Sequence, residues 1–279
     1  MTQNKDVENP LEKQQKQMEA IKQRMGNVKH KIAIISGKGG VGKTLVTVNL
    51  ATALSNNGNQ VGVFDADLTG PCVPKMLGLK GNKLQSGPAG IGPAEGPLGI
   101  KTVSMDFLLP NDESPVVWRG PLKMGAIRQF LGEVNWGKLD YLLVDLPPGT
   151  GDESLSILQL LPEMDGVIIV TIPSEVSQGV VKKAVTFARK MNVPILGIVE
   201  NMTDMICPHC GKSIEIFSKG GGAKISEEMD VDLLGSIPMD PRIATASDSG
   251  TPFVKSHPDT PAAKEFSQIV KKIEKRIKK

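Results

Sequence analysis

Short apolar runs alternate with amphipathic stretches along most of the chain. The apolar runs are rich in Val and Ile and lack strict alternation of apolar and polar positions, which is typical of parallel strands covered on both faces. The predicted strands are Ile32–Ile35, Val61–Phe64, Leu98–Met105, Tyr141–Asp145, Gly166–Ile172, Ile195–Val199 and Leu233–Ile237.

Stretches with helical periodicity lie between many of these runs. The predicted helices are Lys43–Ser55, Pro121–Leu131, Asp152–Leu161, Ser177–Met191, Ala223–Met229 and a final basic helix over Pro261–Lys279. Alternating strands and helices predict an α/β fold, with a doubly wound, mostly parallel sheet and helices on both faces.

Three segments depart from this alternation. Residues 1–28 are polar and charged, and we expect a helical or disordered N-terminal arm exposed to solvent, preceding a body over residues 29–279. Gly81–Gly99 is rich in Gly and Pro and predicts an irregular excursion. Residues 201–222 form a second long loop, which carries two of the cysteines.

Composition removes several classes of function. A net charge of +3 and an aromatic content of 4% provide neither the basic patch nor the stacking platforms of a nucleic-acid-binding protein. No apolar run approaches the roughly 18 residues of a membrane span, and no signal peptide is evident. Three cysteines make no disulfide framework. We therefore expect a cytoplasmic protein that binds neither nucleic acid nor membrane, with Lys271–Lys279 on a solvated helix face.

The segment Gly37–Thr44 fits the P-loop pattern, and it stands between a predicted strand and a predicted helix. Its glycines let successive N–H groups point at phosphate oxygens, and the helix N-terminus adds partial positive charge. Lys43 is expected to reach the β- and γ-phosphates, and the Thr44 hydroxyl to ligate Mg²⁺. The predicted nucleotide contacts in this loop are Gly37, Lys38, Gly39, Gly40, Val41, Gly42, Lys43 and Thr44.

Carboxylates follow two of the predicted strands. Asp65 and Asp67 come after Val61–Phe64, and Asp145 ends Tyr141–Asp145 in the manner of a Walker B strand. Carboxylates at the carboxyl edge of a parallel sheet face the nucleotide site. We assign Asp145 to Mg²⁺, held through water, and Asp65 to the outer shell of Mg²⁺. For Asp65 the alternative is a cap on the turn that follows its strand.

A Cys-x-x-Cys motif, Cys207 and Cys210, lies in the second long loop. Structural zinc and iron–sulfur clusters usually take four ligands, yet the only other cysteine is the distant Cys72. A four-thiolate site therefore needs two chains. Spacing alone leaves a [4Fe–4S] cluster, a shared zinc ion and a metal-free dithiol open. His209 is assigned to the solvated loop rather than to the ligand set.

The Gly-Lys-Gly-Gly-Val-Gly-Lys-Thr form, with its early Lys38, resembles the deviant P-loop ATPases, which include MinD, ParA, ArsA and the nitrogenase iron protein. The resemblance implies an ATP-bound homodimer in which Lys38 acts on the partner subunit's nucleotide. It also implies that Asp67 orients the attacking water. By the same resemblance Asn201 reads adenine edges, with Pro238 and Asp240 near the base.

Five runs, taken together, look like the Mrp/ApbC branch of that family. They contain Gly-Pro-x-x-Pro, Trp-Arg-Gly-Pro, Asp-x-Pro-Pro-Gly-Thr-Gly-Asp and the Cys-x-x-Cys motif in the right order, and they lie in Ser36–Thr44, Asp65–Pro74, Trp118–Leu131, Asp140–Asp152 and Asn201–Gly222. The resemblance implies a slow ATPase whose homodimer carries a [4Fe–4S] cluster for delivery to apo-proteins.

Three departures and two rival functions accompany this resemblance. The chain has no N-terminal four-cysteine motif and no small extra N-terminal domain, and it has Cys72 where relatives commonly show serine. Cys72 is expected to be a small buried residue, and the alternative is an extra thiol near the nucleotide. The rival functions are a MinD/ParA-like spatial organiser and an ATPase with a structural zinc at its dimer interface. The amphipathic C-terminal stripe suits the first rival as well as it suits core packing.

Overall fold

The computed structural model describes residues 10–68, 70–108, 120–207, 210, 212–217 and 220–278. Its helices are α1 Pro10–Met25, α2 Lys43–Asn56, α3 Val73–Met76, α4 Gly120–Glu133, α5 Asp152–Leu160, α6 Glu175–Lys190, α7 Gly221–Met229, α8 Pro241–Asp248, α9 Phe253–Ser256 and α10 Pro261–Ile277. Its strands are β1 Val28–Ser36, β2 Val61–Asp65, β3 Gln85–Gly87, β4 Gly90–Gly92, β5 Ala94–Glu95, β6 Lys101–Ser104, β7 Leu139–Asp145, β8 Gly166–Thr171, β9 Ile195–Glu200, β10 Met205–Ile206, β11 Ser213–Ile214 and β12 Leu233–Ser236. Short 3-10 turns cover Pro97–Gly99 and Met105–Leu108.

An eight-stranded sheet in the order β12-β9-β8-β1-β7-β2-β6-β5 organises the described chain. Every neighbouring pair in it is parallel except β5 with β6. All residues of β2 and β8 are buried, as expected of strands covered on both faces. The predicted doubly wound, mostly parallel α/β fold is confirmed.

Two hydrophobic clusters cover the two faces of the sheet. Alternate residues of β1 divide between them, with Ile32 and Ile34 on one face and Ala33 and Ile35 on the other. Helices α2, α3, α8, α9 and α10 pack on the first face, and α1, α4, α5, α6 and α7 on the second. The nucleotide-binding loop predicted after β1 therefore starts from the middle of the core.

Two expectations are corrected by these packing contacts. The N-terminal arm is not a solvated tail over α1, because Ile21 and Met25 are fully buried in contact with the α4 side of the core. These residues are four apart, so they share one helix face. The division into residues 1–28 and 29–279 stays a prediction. The predicted C-terminal helix ends at Ile277, and its apolar stripe is buried in the core from Phe266 to Ile273.

The Gly- and Pro-rich excursion at Gly81–Gly99 is more ordered than expected. It contains the antiparallel hairpin of β3 and β4, followed by β5, which pairs antiparallel with β6 at the sheet edge. The predicted strand Leu98–Met105 is shortened to Lys101–Ser104, because Leu98 lies in a turn with positive φ and Met105 begins a 3-10 turn.

Candidate functional site

The candidate site lies at the carboxyl edge of the central strands, where ligands bind in open α/β sheets. Strands β1, β7 and β2 are neighbours, and the loops that follow them carry the predicted P-loop and carboxylates. Asp65 and Asp145 are register partners at the ends of β2 and β7. The topology therefore brings together three segments that are more than 20 residues apart in sequence.

The loop between β1 and α2 borders a cavity of about 260 Å³. Gly42 stands immediately before α2 with φ of +81°, a left-handed conformation that suits glycine. A Cβ at this position would lie 2.2 Å from Asn201 Nδ2, so the close approach also requires glycine. The first N–H groups of α2 have no acceptor within the helix and are available to an anion. The cavity-lining residues include Gly39, Gly40, Val41, Gly42, Lys43, Thr44, Asp67, Cys72 and Pro148.

A buried ion pair lies at the floor of this site. Lys43 Nζ is 2.8 Å from Asp145 Oδ2, and the two side chains are 6% and 0% exposed. Asp145 also accepts hydrogen bonds from Thr44 Oγ1 (2.6 Å, to Oδ2) and Thr47 Oγ1 (2.7 Å, to Oδ1). Lys43 Nζ itself has no partner in hydrogen-bonding geometry among the described residues. An ammonium group has three donors, so those of Lys43 not directed at Asp145 are available for a phosphate.

The Asp65 carboxylate accepts hydrogen bonds from groups close to the end of β2. Its Oδ1 accepts from Asp67 N at 3.3 Å, and its Oδ2 accepts from Val73 N at 3.2 Å and Ser104 Oγ at 3.1 Å. Burial, followed by the nearby Asp145 charge, raises the pKa of Asp65 to about 8. This geometry matches the turn-capping alternative, and the outer-shell role in Mg²⁺ binding stays a prediction.

Lys38, Asp67 and the segment after β7 surround the same loop. Asp67 is half-buried and accepts from Gly70 N at 3.3 Å. Gly149 N donates to Ser36 O at 2.9 Å, which holds the predicted switch segment against the end of β1. Lys38 is half-exposed, and no contact within the described part of the chain engages its ammonium group.

The residues present fit a magnesium-bound nucleoside phosphate. The buried Asp145 carboxylate pairs with the one buried ammonium group, and burial together with the Asp145 charge holds the pKa of Asp65 high, so an added cation would favour the ionised form of Asp65. The Thr44 hydroxyl and the Asp145 carboxylate supply the hard oxygen ligands that Mg²⁺ prefers. The Lys43 ammonium, beside Asp145, and the glycine-rich loop suit phosphate oxygens.

The predicted base-binding residues occupy two places. Pro238 and Asp240 line a second cavity, of about 450 Å³. Asp240 caps α8 by accepting from Arg242 N at 3.0 Å, and its carboxylate pairs with the Arg242 guanidinium at 2.9 and 2.6 Å, which lowers the pKa of Asp240. Asn201 is buried and lies outside that lining; its Nδ2 donates to Val41 O at 2.9 Å. Its adenine-reading role stays a prediction.

Cys207 and Cys210 lie between β10 and β11, which pair as an antiparallel hairpin. Cys207 N donates to Lys212 O at 2.9 Å, which closes the hairpin; Cys207 is half-buried and Cys210 exposed. No cluster of three or more Cys, His, Asp or Glu suited to a metal occurs among the residues that the structure describes. His209 lies outside the described residues, as do Trp118 and Arg119 of the quoted motif.

Two residues at or near the site, Thr47 and Glu200, were not predicted from sequence, and for a third, Cys72, the structure agrees with the alternative of a thiol near the nucleotide. Thr47 lies one turn after Thr44 on α2, and that spacing is a signal that could have identified it. Glu200 is 4% exposed at the end of an apolar strand, where a lone charge is a signal. Cys72, expected to be buried, is exposed and lines the P-loop cavity. Its Sγ donates to Gly70 O at 3.2 Å, an acceptor that the surface turn provides.

Comparisons with known proteins identify the family of this chain. Residues 27–274 match the ParA family described as NUBPL iron-transfer P-loop NTPases. An iron–sulfur cluster carrier protein of Saccharolobus solfataricus is 57% identical over 253 residues, covering 91% of this chain and 86% of the relative. An iron–sulfur cluster carrier protein of Methanocaldococcus jannaschii is 54% identical, covering 92% of this chain and 88% of the relative.

Solved structures give the same picture of the fold. A nucleotide-binding protein of Archaeoglobus fulgidus in complex with ADP superposes with a TM-score of 0.78 at 39% identity, covering 89% of this chain and 96% of that one. The cell division ATPase MinD of Pyrococcus furiosus superposes with a TM-score of 0.65 at 27% identity, covering 88% of this chain and 98% of that one. Among the described residues, no helix combines the length and apolar character needed to cross a membrane.

Proposed function

Because this chain belongs to the ParA family of NUBPL iron-transfer P-loop NTPases, we propose that it is a homodimeric ATPase that carries a [4Fe–4S] cluster and delivers it to apo-proteins. The names of relatives at 57% and 54% identity support the carrier role. The observation that carries the proposal is the presence, in one chain, of a cavity bordered by the P-loop and of the cysteine pair Cys207 and Cys210 beside the hairpin strands β10 and β11.

On the nucleotide side, Lys43 and the N–H groups of the P-loop bind the phosphates of ATP. Thr44 and, through water, Asp145 would hold Mg²⁺, and the ion would withdraw charge from the phosphate oxygens. Thr47 fixes the orientation of the Asp145 carboxylate by its 2.7 Å hydrogen bond. Asp67, at the border of the cavity, orients the attacking water. Turnover is slow, since no further base lines the described cavity.

Lys38 acts across the dimer on the partner's nucleotide. Its half-exposed side chain is not engaged within the described chain, which suits a group that finds its acceptor on another subunit. A charge brought to the transition state in trans is worth about 10³–10⁵ in rate in other P-loop enzymes. We expect Lys38→Ala to keep ADP affinity within about twofold while lowering ATP turnover by at least about 100-fold. Full turnover in this variant would contradict the role in trans.

On the cargo side, Cys207 and Cys210 of two subunits supply four thiolates to one cluster. The half-buried and exposed positions of the two residues between β10 and β11 let a second copy approach them. A zinc ion shared by the same four thiolates is the alternative, because sites with four sulfur ligands suit both zinc and iron–sulfur clusters. We place the protein in the cytoplasm, because thiolate ligands persist in a reducing compartment.

Anaerobic reconstitution tests the cargo. Wild-type protein treated with iron and sulfide is expected to develop broad absorption near about 400 nm, which is typical of thiolate-bound [4Fe–4S] clusters. Cys207→Ala should lose this absorption. Cys72→Ala is the matched control, since Cys72 lies in the nucleotide cavity rather than in the hairpin, and it should retain the absorption. Zinc binding without iron-dependent absorption would favour the structural-zinc alternative.

The amphipathic C-terminal stripe is the main sequence feature in favour of the rival role as a spatial organiser. The apolar residues of α10 are buried in the core and are not displayed on a surface that could lie on a membrane. The similarity to MinD at 27% identity is therefore read as a shared nucleotide-binding architecture.

A further inference from the structure

The end of β9 touches both the nucleotide site and the cysteine loop. Asn201, the first residue after β9, is buried, and its Nδ2 donates to Val41 O within the P-loop at 2.9 Å. Asn201 N donates to Thr171 O at 2.7 Å, which fixes this residue to the neighbouring strand. A displacement of the P-loop backbone would therefore shift Asn201, where the loop over residues 201–222 begins.

The preceding residue, Glu200, holds the other end of the same loop. Its Oε1 accepts from Gly222 N at 2.6 Å, and its Oε2 accepts from Ser236 Oγ at 3.2 Å. Gly222 lies in the first turn of α7, where the helix dipole favours a carboxylate. The fit is close, because a Cβ on Gly222 would lie 3.0 Å from Glu200 Oε1. Glu200 thus seats the returning end of the loop on β9.

The outgoing arm of the hairpin is bonded to the wall of the second cavity. Thr203 N donates to Ile237 O at 3.0 Å, and Met239 N donates to Asp204 O at 3.3 Å. Met205 forms a parallel bridge with Met239, which lines that cavity. Met205 is only two residues before Cys207 along the hairpin arm.

We infer that Glu200 is a positioning residue that couples nucleotide occupancy to the cysteine pair within a single subunit. A nucleotide that restrains the P-loop and the second cavity also restrains Asn201 and the outgoing arm, while Glu200 holds the returning end of the loop at Gly222. Bound nucleotide therefore slows the reaction of Cys207 and Cys210 with an alkylating reagent. The inference rests on the proposed nucleotide binding, but it requires neither a cluster nor a dimer.

Thiol alkylation in cluster-free protein tests this coupling. A Cys72→Ser background leaves the hairpin pair as the chain's cysteines, and ADP with Mg²⁺ at saturation is the probe, with occupancy measured by fluorescence of a labelled ADP. We expect ADP to slow alkylation at least about fivefold, the lower range of typical coupling between sites. Glu200→Ala should bind ADP with unchanged affinity. Its alkylation rates with and without ADP should agree within about twofold.

Conservative and neighbouring variants separate positioning from general stability. Glu200→Gln should keep the effect of ADP, because its amide oxygen can still accept from Gly222 N. Ser236→Ala should also keep it, since the 2.6 Å bond to Gly222 remains. If Glu200→Ala does not fold, Gly222→Ala replaces it and should lose the effect by displacing the carboxylate.

The possible results have distinct meanings. Bound ADP with unchanged alkylation rates in the wild-type background would overturn the coupling and leave the proposed function intact. A full ADP effect in Glu200→Ala would overturn the role of Glu200. Failure of ADP to bind at all would remove the proposed nucleotide function, and this inference with it.

Discussion

Replacing Thr47 by Val should selectively destabilise the buried charge of Asp145. Thr47 Oγ1 donates to Asp145 Oδ1 at 2.7 Å, and both side chains are fully buried. The substitution keeps the shape of the side chain and removes one of the two hydroxyl donors to a carboxylate that is 0% exposed. The carboxylate oxygen then loses a partner that water cannot replace.

The magnitude follows from the charge of the acceptor. A hydrogen bond to a charged group contributes about 1.5–3 kcal/mol, whereas burying the added methyl group returns roughly 0.8 kcal/mol. We therefore expect Thr47→Val to lower the free energy of unfolding by about 1–2 kcal/mol. Because Thr47 also orients a predicted Mg²⁺ ligand, Mg²⁺ affinity in the presence of ADP should fall by about tenfold.

Urea unfolding followed by circular dichroism measures the first effect, and Mg²⁺ titration of the ADP complex measures the second. Thr52→Val is the matched control, since Thr52 is buried in the same helix and its hydroxyl donates only to the Val48 carbonyl, at 2.8 Å. That bond to the previous turn adds little to helix stability. Equal losses of stability in the two variants, with unchanged Mg²⁺ affinity in both, would refute the reasoning.

Two further predictions address the N-terminal helix and the cysteine in the nucleotide cavity. Ile21→Ala should lower the free energy of unfolding, measured by urea denaturation, by about 2–5 kcal/mol, because it leaves a cavity at a fully buried position. Met18→Ala, at a residue that is 39% exposed, should change the free energy of unfolding by less than about 0.5 kcal/mol. Similar losses in both variants would contradict the packing of α1. Although Cys72 is exposed as a whole residue, partial burial of its thiol, followed by the charges of Asp65 and Asp67, raises the pKa of Cys72. In Cys207→Ala/Cys210→Ala protein, the rate of iodoacetamide alkylation of Cys72 should therefore rise with pH through a midpoint above the ordinary pKa of cysteine. A midpoint at or below that pKa would contradict the effect of burial and of the neighbouring carboxylates.

The central sheet could be predicted from sequence because its strands are buried on both faces. Runs such as Gly166–Thr171 carry a continuous apolar signal that no amphipathic helix produces. Short elements could not be predicted in the same way. Helices α8 and α9 have eight and four residues, too few for a clear period, and β5 pairs with β6 through two residues of a glycine-rich segment.

Much of the candidate site could be placed from motif spacing, but the use of individual side chains could not. Lys43 and Thr44 lie beside Asp145 because the P-loop and the end of β7 are fixed by the topology. The Asn201 amide, in contrast, contacts the P-loop carbonyl of Val41, and that depends on the close approach to Gly42. Such contacts are set by tertiary packing, which spacing along the chain does not record.

Native mass spectrometry of the anaerobically reconstituted protein tests the central claim most directly. We expect a species with two chains, four irons and four sulfides, and its loss in Cys210→Ala but not in Cys72→Ala. A single chain that holds a complete cluster, or a dimer that contains one zinc ion and no iron after reconstitution, would contradict this claim.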